Sequence, residues 1–399
     1  MHLISLAPAL VVFLIGAWAI SLDGFTYLGV ASAFDSTFVD LRYLTATAEC
    51  YRSNPDWSLM SVTCDPFGRL NNYPSPWVWL FATAGATEAH TEGIAWMYLV
   101  LLSVSIWLIT WGAVQATKRL RITLIAITLI SVSPPTWLAL ERGSNEILVF
   151  ASITVAWLAF SNRKSRIAAA LLAILTVLKF FPAGAMIAFR PTFRKGKLDL
   201  GVFIFLAGTG LLLIAQELGV IRERTPQPSE AAFGAALLAR QVHLPAGRIF
   251  GVLLFTVALV LYMVWLNRSR DSRTKANFMS LQKELHLNFK VWSLFAFGAG
   301  PLVFAYLLGT NYDYRLILTI PIVAGLSLIT EQLFARSLLI AILSATYLGY
   351  QVPAQVQVVG DIMWFLIVPC LAVLLVGSWI SEWKSKTVSN VSGPPQSGQ

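Results

Sequence analysis

Apolar runs of close to twenty residues recur along almost the whole chain, separated by short polar islands. The first covers 3–22. Others lie near 94–116, 122–138, 145–160, 200–218, 249–267, 289–308, 315–330, 337–352 and 362–380. A helix of ~20 residues, rising 1.5 Å per residue, crosses a ~30 Å hydrocarbon core. The pattern therefore predicts an all-α, polytopic integral membrane protein with about 12 membrane segments. Run 3–22 lacks a small-residue cleavage site and a strong basic leader, so it is expected to stay as the first span.

Two stretches break the rhythm. Residues 167–189 are flanked by basic clusters, Arg163, Lys164 and Arg166 before them and Arg190, Arg194, Lys195 and Lys197 after. Between the clusters sits Lys179-Phe180-Phe181-Pro182. Two helical arms of ten to twelve residues would rise only ~15–18 Å each. A short membrane hairpin with Lys179 near its tip is the expected form, tolerated where it lines a cavity or packs in protein. Residues 74–90 are expected to lie along the membrane surface or dip into it.

Composition narrows the class. The chain has 399 residues, 57% hydrophobic and 12% charged, against roughly 25% charged in soluble domains. Soluble enzymes, nucleic-acid binders and disulfide-rich secreted domains are excluded. The net charge of +9 then asks where the cations lie, because cytoplasmic loops collect Lys and Arg. With the N-terminus inside, most of the 29 basic residues fall on the cytoplasmic side and most of the 20 acidic residues on the outer side. The expected organisation is one transmembrane domain, 1–386, with outer loops at 23–73 and 219–248. A disordered cytoplasmic tail, 387–399, rich in Ser, Gly and Pro, follows. The four histidines are scattered, and no phosphate-binding loop, dinucleotide fingerprint or zinc spacing is present.

The outer polar islands hold the candidate chemistry. Residues 38–51 can form a helix with Asp40, Tyr43 and Thr47 on one face. Asp40 lies near its start, where a carboxylate also suits a helix cap. Cys50 and Cys64 lie in the same island; in an oxidising compartment they would pair, although unpaired bystanders fit the same sequence. Asn72-Tyr73-Pro74-Ser75-Pro76-Trp77 reads as an interfacial anchor or a sugar-binding wall. Arg142, in Glu141-Arg142-Gly143-Ser144-Asn145, suits a lipid phosphate or its neighbour Glu141, and Asn145 suits a helix cap. Arg315 follows Asn311-Tyr312-Asp313-Tyr314 directly before an apolar run, where it serves a site or pairs with Asp313. His243, alone in the second large outer loop, fits a surface or structural role as well as a site.

In this order the residues resemble a known family. Asp40-Leu41-Arg42-Tyr43, Asn71-Asn72-Tyr73-Pro74, Arg142-Gly143-Ser144-Asn145, Lys179-Phe180-Phe181-Pro182 and Asn311-Tyr312-Asp313-Tyr314-Arg315-Leu316 resemble the ordered motifs of glycosyltransferase family 87 and its polyprenyl-phosphate-mannose-dependent mannosyltransferase relatives. The likeness covers residues 1 to about 330, and this chain has Tyr-Pro-Ser-Pro where the family has Tyr-Pro-Pro. It implies the C-type glycosyltransferase fold and a hexosyltransferase moving mannose, or another hexose or pentose, from a polyprenyl-phosphate donor to a glycan or glycolipid acceptor. Asp40 is implied as general base, with Asp35 second. Arg315, Lys179 and Arg142 are implied at the donor phosphate, and Tyr43, Asn72, Tyr73, Asn145, Tyr312 and His243 around the substrates. No cofactor or metal is required, and no nucleic acid. The implied setting is the bacterial inner membrane with the site facing the periplasm. The competing expectation is a polytopic transporter or flippase, which also uses broken membrane segments; a non-catalytic assembly subunit is a third.

Overall fold

The computed structural model describes residues 2–28, 30, 36–54, 64–68, 73–117, 119–189, 196–215, 217, 232–233, 253, 255–261, 264, 272–307, 311–349 and 354–391. These residues are almost wholly helical. A single turn, α1 (His2–Ser5), leads into α2 (Ala7–Leu22). Next come α3 (Val39–Ser53), α4 (Ser75–Thr83), α5 (Thr91–Val114), α6 (Leu120–Ser131) and α7 (Pro134–Glu141). They are followed by α8 (Glu146–Ser161), α9 (Ser165–Leu178), a 3-10 arm (Phe181–Ala188) and α10 (Gly196–Leu213). The later helices are α11 (Ser272–Leu287), α12 (Phe289–Leu307), α13 (Thr319–Ser327), α14 (Leu333–Leu348) and α15 (Ala354–Val391). A small antiparallel ladder is added to them: β1 (Ala232–Phe233) pairs with β2 (Asn311–Tyr312), Ala232 opposite Tyr312.

Among the described residues, four segments are long and apolar enough to cross a membrane: Leu3–Leu22, Glu88–Val114, Phe289–Leu307 and Gln357–Ser378. The α6–α7 pair, bent by 43° at Val132 and Ser133, would make a fifth. Shorter apolar helices pack beside them, including α8, α9 and α14. Large apolar side chains on the helices point outward: Leu14 is 59% exposed, Phe205 71% and Leu212 78%. Water penalises such faces, whereas hydrocarbon does not. The outward apolar faces and the span lengths are those of a protein housed in a lipid bilayer.

The largest fully buried side chains of the interior are aromatic: Trp77, Trp292, Tyr98, Phe150, Phe295 and Phe297. At one point two backbones meet with no side chain between them. A Cβ on Gly184 of the 3-10 arm would collide with the Gly300 carbonyl oxygen of α12, and the reverse holds at Gly300. Trp292 closes the same contact from α12, its indole N–H donating to the Ala188 carbonyl at 3.2 Å. The 3-10 arm is thus fixed to α12 along its length.

Two expectations change. The hairpin at 167–189 is broken at Lys179 as its sequence predicts, but its second arm is 3-10 helix, not α-helix. Pro182 near its start removes an amide, and the close approach to α12 favours the narrower helix. The chain is still helical at 387–391, inside the expected tail, because the first helix breakers come only at Gly393 and Pro394. Residues 392–399 lie outside the described residues. At 74–90, α4 is nine residues long, rising ~14 Å, too short to cross alone.

Candidate functional site

The site is assembled around the start of α3. Phe38 takes a left-handed backbone (φ 59°) that turns the chain into the helix. Such a conformation costs a bulky residue of order 1–3 kcal/mol and needs support from its surroundings. The support comes from the turn after α7. The Phe38 amide donates to the Glu141 carbonyl at 2.6 Å, and the Asp40 amide to the Arg142 carbonyl at 2.9 Å. Gly143 makes room for this docking. Its φ is +60°, and a Cβ there would lie 2.6 Å from the Leu41 Cβ. Asp40 and Tyr43, one turn apart on α3, are both buried.

A second element brings a cation. At the end of α9, the Leu178 carbonyl is the acceptor that the residue-182 amide would take in a continuing α-helix. Residue 182 is proline and has no amide to give. The Trp77 indole N–H takes its place, donating to the Leu178 carbonyl at 3.0 Å. Lys179 follows in extended conformation (φ −151°, ψ 131°). Its ammonium lies 4.9 Å from the Tyr73 ring centroid, and Tyr73 stacks on Tyr43 at 5.8 Å. Asp40 stands one turn before Tyr43 on the same helix.

The third element supplies an arginine and the fourth a carboxylate. Arg315, in the 3-10 turn Asp313–Leu318, lies 5.5 Å from the Phe181 ring. Its Nε donates to Glu146 Oε1 at 2.9 Å. Lys179 Nζ reaches the same oxygen at 3.4 Å. The Glu146 side chain is 2% exposed, against 16% for Lys179 and 19% for Arg315. One carboxylate at the head of α8 therefore holds two cations, and the trio keeps a net charge of +1. Next to it, the Tyr98 hydroxyl donates to Asn145 Oδ1 at 2.8 Å.

The structure thus links Tyr43, Tyr73, Lys179, Glu146 and Arg315 in one chain of contacts, with Asp40 one turn before Tyr43 on α3. Arg142 is buried beside them and gives its backbone carbonyl to Asp40. Asn145 stands at the start of α8 but makes no side-chain cap bond, because its oxygen is taken by Tyr98. Cys50 and Cys64 form a disulfide, Cα to Cα 5.7 Å, which closes the loop after α3. Tyr312 is described only through its backbone in the β ladder, and Asp35, Asn72 and His243 lie outside the described residues.

Sequence reasoning overlooked Glu146 and Tyr98. The signal for Glu146 was present: an ionisable residue at the head of an apolar run is a functional candidate by default. Tyr98 left no signal, since an aromatic residue inside an apolar span reads as packing. Among the described residues no group of three or more His, Cys, Asp or Glu side chains is arranged to hold a metal ion. The arrangement suits an anion at the Lys179–Arg315 edge with a carboxylate beside it. Comparison of the chain with family models, curated proteins and solved structures gives no match.

Proposed function

We propose that the protein is a membrane glycosyltransferase that moves a sugar from a polyprenyl-phosphate donor to an acceptor hydroxyl. The observation that carries this reading is the convergence of Lys179 and Arg315, from segments far apart in sequence, beside the helix start that holds Asp40. A phosphate at the exposed edge of the two cations would sit across from a carboxylate. That is the layout a one-step displacement needs.

In this reading Asp40 takes the proton from the acceptor hydroxyl. The freed oxygen attacks the anomeric carbon as the bond from that carbon to the phosphate oxygen breaks. The polyprenyl phosphate leaves with the bonding pair, from the opposite face, so the anomeric centre inverts. The leaving phosphate needs charge stabilisation, which Arg315 and Lys179 supply in a site with little water. The reading includes the C-type glycosyltransferase fold with about 12 membrane segments. It also includes a periplasm-facing site in a bacterial inner membrane, and mannose or another hexose or pentose as the sugar.

The test is transfer from labelled polyprenyl phosphates carrying mannose, glucose or arabinose, in membranes bearing wild type or Asp40→Asn. Loss of about 10²–10⁴-fold in the variant is expected for a general base. Undiminished transfer by the variant removes Asp40 from that role. The broken segment at Lys179 also suits a flippase. Donor appearing unchanged on the far side of the bilayer, with no glycosylated product, would favour that second reading.

A further inference from the structure

We infer that Glu146, besides orienting Arg315, receives a sugar hydroxyl of the donor on its second carboxylate oxygen. The inference rests on the lipid-phosphate reading above and adds which part of the donor this residue reads.

Both cations use the same oxygen. Arg315 Nε and Lys179 Nζ converge on Oε1, and Oε2 has no hydrogen-bond partner among the described residues. A buried carboxylate oxygen left without a donor is costly, more so than an unpaired neutral group. The residue before it shows the complementary feature. Asn145 gives its Oδ1 to the Tyr98 hydroxyl, and its Nδ2 has no partner among the described residues. Both residues are buried, Asn145 at 1% exposure and Glu146 at 2%.

An acceptor and a donor left open on adjacent residues define the ligand chemistry. An ionised carboxylate oxygen only accepts, and an amide nitrogen only donates. A hydroxyl group does both, so a neutral polyhydroxyl ligand satisfies the pair. A further cation would not use the amide, and a further anion would meet the carboxylate. The contact through Nε matters as well. Because Arg315 meets Glu146 through Nε, its two terminal nitrogens are not spent on that contact and can present a fork to a phosphate. Glu146 thus holds the cations that would meet the phosphate through one oxygen and offers the other to the sugar, and the hydroxyl next to the anomeric carbon, nearest the phosphate in such a donor, is the one assigned to it.

The test compares dissociation constants of the full-length protein in nanodiscs. The probes are bare polyprenyl phosphate and the same lipid carrying mannose, glucose or arabinose. Wild type is expected to bind at least one sugar-bearing lipid about tenfold more tightly than the bare one, a factor worth ~1.4 kcal/mol. Glu146→Gln is expected to bring that ratio close to one. Arg315→Lys is expected to weaken all four lipids by a common factor and keep the ratio. Wild type alone gives another arm, independent of whether the variants fold: removing the hydroxyl next to the anomeric carbon should cost the same tenfold. A ratio unchanged in Glu146→Gln, or an unchanged affinity for the deoxy lipid, overturns the assignment while lipid-phosphate binding stands. Failure of wild type to bind even bare polyprenyl phosphate overturns the phosphate reading and the hydroxyl contact together.

Discussion

Two ion pairs in this molecule have similar geometry and opposite settings. Arg119 Nη2 lies 3.3 Å from Glu331 Oε1, with side chains 40% and 70% exposed. Arg315 Nε lies 2.9 Å from Glu146 Oε1, with side chains 19% and 2% exposed. The first stands at the start of α6; the second stands near the far end of the α6–α7 pair, where the Arg142 carbonyl meets Asp40. Distance alone would rank them close together. Burial separates them, because charges removed from water must be compensated within the protein. The exposed pair adds little to the fold. The buried trio constrains three segments at once, and its partly exposed cations remain available to an anion.

The largest expected effect follows from removing the compensating charge. Glu146→Ala leaves Lys179 and Arg315 facing one another without a counter-charge, and breaking such a buried pair costs about 3–5 kcal/mol. Thermal unfolding in detergent should fall by many degrees. A double-mutant cycle with Arg315→Ala should return a coupling that persists in high salt. A fall no larger than that of an exposed variant would show that the trio carries no more than a surface pair.

The next effect tests the docking of α3. Gly143→Ala places a Cβ against Leu41 and asks an L-residue to keep φ +60°, the backbone alone costing roughly 1–2 kcal/mol. The Phe38 and Asp40 amide bonds to 141 and 142 should loosen with it. The proposed sugar transfer should therefore drop by more than stability does. Equal losses in the two would mean that Gly143 supports the bundle but not the position of Asp40.

These residues also mark how far sequence reaches. The apolar runs are legible because a membrane span is a property of one segment. The helix at 39–53 was visible from local spacing and a nearby start signal. The break at Lys179 was visible from Pro182, whose missing amide acts within one turn. The Glu146–Arg315 contact was not, because its partners are 169 residues apart and nothing local to either specifies the other. Asn145 illustrates the same limit. Its spacing suits a cap, but Tyr98, on another helix, uses the oxygen that capping needs. The 3-10 form of 181–188 depends on the close approach of Gly184 to Gly300, again a contact between distant segments.

The smallest expected effect sharpens the comparison from its exposed side. Arg119→Ala and Glu331→Ala should each change stability by under about 1 kcal/mol, with a coupling at the low end of the 0.2–1 kcal/mol seen for exposed pairs. At ~1 M salt the Debye length falls to ~3 Å, and that coupling should vanish. The Arg42–Glu88 pair, at 3.4 Å with side chains 35% and 45% exposed, offers an intermediate case. Arg42 also donates from Nε to the Thr37 carbonyl at 3.1 Å, just before α3. Arg42→Ala should therefore cost more than Glu88→Ala, since it also frees that carbonyl. If the two variants were equal, and both effects disappeared in salt, the Arg42 contribution would be the ion pair alone and the Thr37 contact would not help to fix the start of the Asp40 helix.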